Sequence, residues 1–83
     1  MESSLTINDQ FKAFIHHALK NSPTFQKRTQ IEQLGLKAAL LHSFKTNSRL
    51  NDIYHALLDT LEQEGDFYHL INHLKTFHLQ NHS

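Results

Sequence analysis

The chain has no cysteine. That absence excludes disulfides, thiolate zinc sites and thiol nucleophiles. Only two glycines and one proline occur in 83 residues, too few for the turns of a β-sandwich. Two glycines also cannot build a phosphate loop or a dinucleotide fingerprint, and no His-Glu-x-x-His segment is present. Charge of one sign is missing as well. Eight Lys and Arg balance eight Asp and Glu, which argues against a strongly basic nucleic-acid binder and against an acidic tail. The longest apolar run, Ala38-Ala39-Leu40-Leu41, is far short of a membrane span, and the Met1-Glu2-Ser3 start has no leader character. The expectation is a soluble cytoplasmic protein without membrane contact.

What is present points to helices. Apolar residues make up 39% of the chain, enough for a folded core. A domain of this length buries only about 60–65% of the surface of its unfolded form, so one small core is expected. Ile7, Phe11, Phe14, Ile15 and Ala18 recur at steps of three and four, and Thr6 with Asp9 resembles a capping box. Ser22-Pro23 is a strong helix start, with Pro at the first position, where its missing N–H is harmless. From Thr24 to Thr46 the apolar residues form two stripes. Ile31, Leu34, Ala38 and Leu41 make one; Leu36, Leu40 and Phe44 make the other. A single helix with both would be buried on two faces. Gly35, with Ile31 before it and Leu36 after it, matches a Schellman stop, and a break there is the favoured reading.

Thr46-Asn47-Ser48 is the next cap. Leu50, Ile53, Tyr54, Leu57 and Leu61 form a clean stripe that ends at Gly65. Asp66 is expected to cap a last helix carrying Phe67, Leu70, Ile71, Leu74, Phe77 and His78, with His78 a hydrogen-bonded interior residue. The resulting fold class is an all-α, compact, single-domain bundle of four to five short helices. They span about 7–21, 23–34, 36–46, 48–64 and 66–79, with frayed ends at 1–5 and 80–83. The expected core is Phe11, Phe14, Ile15, Leu34, Leu41, Phe44, Ile53, Leu57, Leu61, Leu70, Leu74 and Phe77.

Charge is divided along the chain. Residues 1–49 hold seven basic and three acidic side chains, residues 50–83 one basic and five acidic, so the halves carry +4 and −4. One reading is a docking surface, since complementary potential steers and orients a partner. The other is that the two halves attract each other within one fold. The candidate basic contacts are Lys20, Lys27, Arg28, Lys37, Lys45 and Arg49; the acidic ones are Asp59, Glu62, Glu64 and Asp66. Tyr54 and Tyr68, at stripe edges, are candidate interface anchors.

The segment from Lys27 to Phe44 resembles a helix-turn-helix, with Gly35 in the turn and Leu41 and Phe44 pinning the second helix. The helix after it falls where small phage-repressor-like domains place theirs. The resemblance implies a DNA-binding regulator in which Lys37, His42 and Ser43 face base edges and basic residues including Lys45 hold phosphates.

Eight histidines are the other excess. Asp66, His69 and His73 have the spacing of a weak one-sided clip for Zn²⁺ or Ni²⁺. The histidines also make the formal charge climb from zero toward +8 as pH falls through about 6.5. A titration of solubility and helicity between pH 7.5 and 5 reads out whether that charge does anything. No catalytic residues and no cofactor are expected. Glu62, Glu64 and Asp66 straddle a turn, and so small a helical domain rarely encloses a reaction cavity. The leading expectation is a non-enzymatic regulator or inhibitor that docks on a protein. DNA binding ranks second, and head-to-tail homodimerisation is open.

Overall fold

Side-chain caps start the first three of five helices found among residues 6–81, which the computed structural model describes. Helix α1 runs Ile7–Lys20, with the Thr6 hydroxyl accepting from the Asp9 backbone N–H at 3.1 Å. Helix α2, Pro23–Gln26, is a single turn started by Ser22, whose hydroxyl accepts from the Phe25 N–H at 3.2 Å.

The next boundary corrects the sequence reading. Gly35 breaks nothing: helix α3 runs without interruption over Gln30–Thr46, and the turn falls earlier, at Lys27-Arg28-Thr29. Thr29 and Glu32 form a full capping box. The Thr29 hydroxyl accepts from the Glu32 N–H at 3.2 Å, and the Thr29 N–H donates to the Glu32 carboxylate at 2.9 Å. Gln33 seals the same turn by donating to the Phe25 carbonyl at 3.0 Å. A mid-helix glycine costs only about 1 kcal/mol, which a good cap offsets. Gly65 is different. It ends helix α4, Leu50–Glu64, with a left-handed φ of 87°. Gly35→Ala is therefore expected to raise stability by about 0.5–1 kcal/mol, because a Cβ there meets nothing within 4 Å. Gly65→Ala is expected to lower stability by about 1 kcal/mol. Urea midpoints of the two variants check both signs, and a loss at Gly35 would restore the turn.

Other ends move by a residue or two. Arg49, not Ser48, is the N-cap of α4. Helix α5 runs Tyr68–Asn81 and opens two residues later than expected, because the Asp66 carboxylate bonds Arg28 and the Phe67 carbonyl accepts the first helical bond, from Ile71. Gln80 and Asn81, expected to fray, lie within α5, and Asn81 donates to the Phe77 carbonyl at 2.9 Å. Residues 1–5 and 82–83, also expected to fray, are outside the described residues.

Helix α4 is central, packed between α3 and α5, and α1 closes the bundle against α5 and α3. Ile53, Leu57 and Leu61 point from α4 into a core completed by Phe11, Leu19, Leu40, Phe67 and Leu74, all fully buried. Phe11 stacks on Phe77 with centroids 4.6 Å apart and meets Phe44 edge-on at 5.7 Å. Such pairs contribute about 0.5–1.5 kcal/mol beyond their area. Phe14, Leu41, Phe44 and Phe77, expected inside, are partly buried. Leu34 is outside, and its place in the core is taken by Leu36 and Leu40. Leu19 and Phe25 are core residues that the periodicity left out. Tyr54 is buried rather than half-exposed and stacks on His78 at 4.0 Å. His78 donates to Asn51 Oδ1 at 3.2 Å, so it is a partly buried, hydrogen-bonded residue.

Candidate docking surface

Helix α3 carries apolar residues on two opposite sides, and the bundle covers one of them. At about 100° per residue, Leu36, Leu40 and Ser43 share the inner side, where all three are buried. Ile31, Leu34, Ala38 and Leu41 lie roughly opposite. Ile31 is 83% exposed, Leu34 66%, Ala38 is exposed and Leu41 is half-buried. Their spacing, three-four-three, is that of a coiled-coil seam.

The two flanks of this stripe differ. On the α1 side, Lys12, Lys37, Leu41 and Phe44 close over a narrow apolar crevice between α1 and α3. The Lys12 ammonium lies 5.7 Å from the Phe44 ring centre, and that of Lys37 lies 5.8 Å from the Phe25 ring centre. These contacts hold the two charges beside the stripe. Lys20 and His16 join Lys37 along the next groove. On the α4 side the neighbours are Arg28, Glu32, Gln63 and Glu64. The Glu32 carboxyl is held below the usual carboxylate range by the backbone N–H and hydroxyl of Thr29. A depressed folded-state value means stability that is present above about pH 4.3 and lost as pH falls through that lower value. Glu32→Gln is thus expected to lower the urea midpoint at pH 7 and to match the parent near pH 2.

The six basic candidates are not brought to one place. Lys20 and Lys37 meet on the α1–α3 side, joined by Lys12, which the sequence reading passed over. Lys12, His16 and Lys20, four apart on α1, were the available signal. Arg28 faces the other way. It bonds Glu64 at 2.9 Å and Asp66 at 2.8 Å and lies over the Phe67 ring. The Glu64 hydrogen bond is the main reason its guanidinium is held even more firmly protonated than usual. Here the two charged halves of the chain do attract each other. Lys27 sits in the α2–α3 turn, Lys45 in the last turn of α3, and Arg49 caps α4. Of the acidic group, Glu64 and Asp66 share Arg28, while Asp59 and Glu62 are exposed on α4.

The residues expected to read DNA diverge. Ser43 is only 5% exposed, and its hydroxyl faces the Ala39 carbonyl at 3.4 Å. Lys37, His42 and Ser43 point in directions at least about 100° apart around α3, so they do not form one reading face. The helix-turn-helix geometry centred on Gly35 is replaced by a continuous helix.

The histidines do converge in part. His69 and His73 lie four apart on α5, and with His17 they line a groove of about 370 Å³ between α1, α2 and α5. His73 is edge-on to Phe14 at 6.5 Å, and His17 Nε2 lies 3.1 Å from the Asn21 amide nitrogen. Asp66 is outside α5 and bonded to Arg28, so it does not complete a clip. Among the described residues no group of three His, Cys, Asp or Glu is arranged to hold a metal ion, and no helix is long and apolar enough to cross a membrane. No known protein-family model, curated protein or solved structure matches the chain.

Proposed function

We propose that this protein is a small non-enzymatic regulator or inhibitor that acts by docking on another protein through the outer side of α3. The observation that carries the reading is the exposed Ile31–Leu34 pair, continued by Ala38 and Leu41 along three turns of one helix. Single exposed apolar residues are ordinary, but a contiguous run at seam spacing is the form in which amphipathic helices meet partners. Burying an Ile and a Leu contributes about 1.5–3 kcal/mol each, and association and side-chain ordering offset much of it. The stripe is only about 15 Å long, so a transient complex is expected rather than a permanent one.

The same face is poorly suited to DNA, because apolar side chains occupy the surface that would meet phosphates and base edges. Fluorescence anisotropy with random-sequence duplex DNA at about 50 and 200 mM salt separates the two readings. The expected result is no binding at micromolar protein, even at the lower salt. Micromolar binding that weakens steeply with salt would favour the DNA-binding regulator.

A further inference from the structure

We infer that the partner segment is an acidic amphipathic helix, seated along Ile31, Leu34 and Leu41 with its carboxylates toward Lys12 and Lys37. The inference rests on the docking reading above and adds the chemistry of what docks. Three observations carry it. The uncovered stripe has the three-four spacing that accepts a helix, not an extended strand. Lys12 and Lys37 lie against Phe44 and Phe25 on the α1 side of the stripe, so cationic groups stand beside its apolar residues. Arg28, on the α4 side of α3, is differently placed: it is already bonded by Glu64 and Asp66.

A second copy of the chain fits this face less well. Two copies of α3 crossing antiparallel near residue 36, the midpoint of the stripe, set each basic flank against the same flank of the other. Lys37 then approaches Lys37, and the like charges oppose the contact. An acidic helix meets the opposite situation, with long-range attraction on approach and lysine–carboxylate pairs at the rim once seated.

The test uses the intact chain and two fluorescent 15-residue amphipathic peptides. Both carry leucine at seam spacing; one has glutamate on its flanks, the other lysine at the same positions. The glutamate peptide is expected to bind at micromolar concentration in about 50 mM salt and to weaken at about 500 mM. The lysine peptide is expected to bind at least about tenfold more weakly. Lys12→Glu with Lys37→Glu should reverse that preference, and Leu34→Glu should abolish binding of either peptide, with circular dichroism checking that each variant stays helical. Equal binding of the two peptides, or a preference that the lysine reversals leave intact, overturns the acidic-partner inference. If the lysine peptide wins and Leu34→Glu still abolishes it, the docking face stands and only the partner's chemistry is wrong. If Leu34→Glu changes nothing, or neither peptide binds, the inference and the docking reading both lose their support. Sedimentation showing a dimer that Leu34→Glu dissociates assigns the face to a second copy and also overturns the inference.

Discussion

Leu57→Ala is expected to leave this protein close to unfolding. Leu57 is 0% exposed at the middle of α4, the helix that packs between α3 and α5. Truncating a buried leucine costs about 2–5 kcal/mol, from lost transfer energy and from the cavity left behind. A chain of this length has total stability on the order of 4–12 kcal/mol. The substitution therefore removes a large share of what holds the fold. For a domain of this size, a loss of about 3 kcal/mol corresponds to a fall of roughly 12–24 °C in melting temperature. Leu34→Ala is the matched control, since the same side chain is removed from a site that is 66% exposed. It is expected to change stability by no more than about 0.5 kcal/mol. Thermal denaturation of the pair reads out which leucines are inside. Equal losses would return Leu34 to the core and with it the break at Gly35.

The second large effect is on docking rather than stability. Ile31→Glu combined with Leu34→Glu is expected to leave the melting temperature within a few degrees of the parent. Residue 31 is the second position of α3, where a negative charge is favoured by the helix dipole, so that substitution carries no folding penalty of its own. Docking should fall by at least about 100-fold, because two apolar anchors are lost and two carboxylates must be desolvated. The separation of the two readouts is the informative part. A core residue loses both stability and binding together, whereas a docking residue loses only binding. If the double substitution melts far below the parent, α3 packs through its other side.

Helices α1 and α4 are legible from the sequence because each has one apolar stripe, with clear signals at both ends of α1 and at the C-terminal end of α4. Thr6 opens α1, Asn21-Ser22-Pro23 separates it from α2, and Gly65 closes α4. The middle of the chain is harder for a physical reason. Two stripes on α3 satisfy periodicity equally well, and only packing against α4 and α1 decides that Leu36 and Leu40 are inside while Ile31 and Leu34 are not. Gly35 invites a break, yet Thr29 and Glu32, a capping box six residues before it, already mark the true start. Weighed by magnitude, the cap and a continuous helix outweigh one glycine. The two stripes were visible from spacing, but their division into a covered and an uncovered side was not.

The charge asymmetry divides similarly. Its attractive part within the fold is the bridge from Arg28 to Glu64 and Asp66, which ties the α2–α3 turn to the α4–α5 turn. The rest is dispersed: Lys12, Lys20 and Lys37 share the α1–α3 side, while Lys27, Lys45 and Arg49 lie at separate helix ends. Of the two alternatives drawn from the +4 and −4 halves, attraction within the fold is the one the Arg28 bridge displays. Sequence distance hides this, because Arg28 and Asp66 are 38 residues apart and meet only when the bundle closes.

The most direct test of the central claim is photocrosslinking in the cell of origin, with a benzophenone side chain at residue 31 or, as a control, at residue 80, exposed on α5. The account predicts one discrete protein adduct from position 31, absent from position 80 and lost when Leu34→Glu is added. No adduct from position 31, equal adducts from both positions, or an adduct to nucleic acid would contradict it.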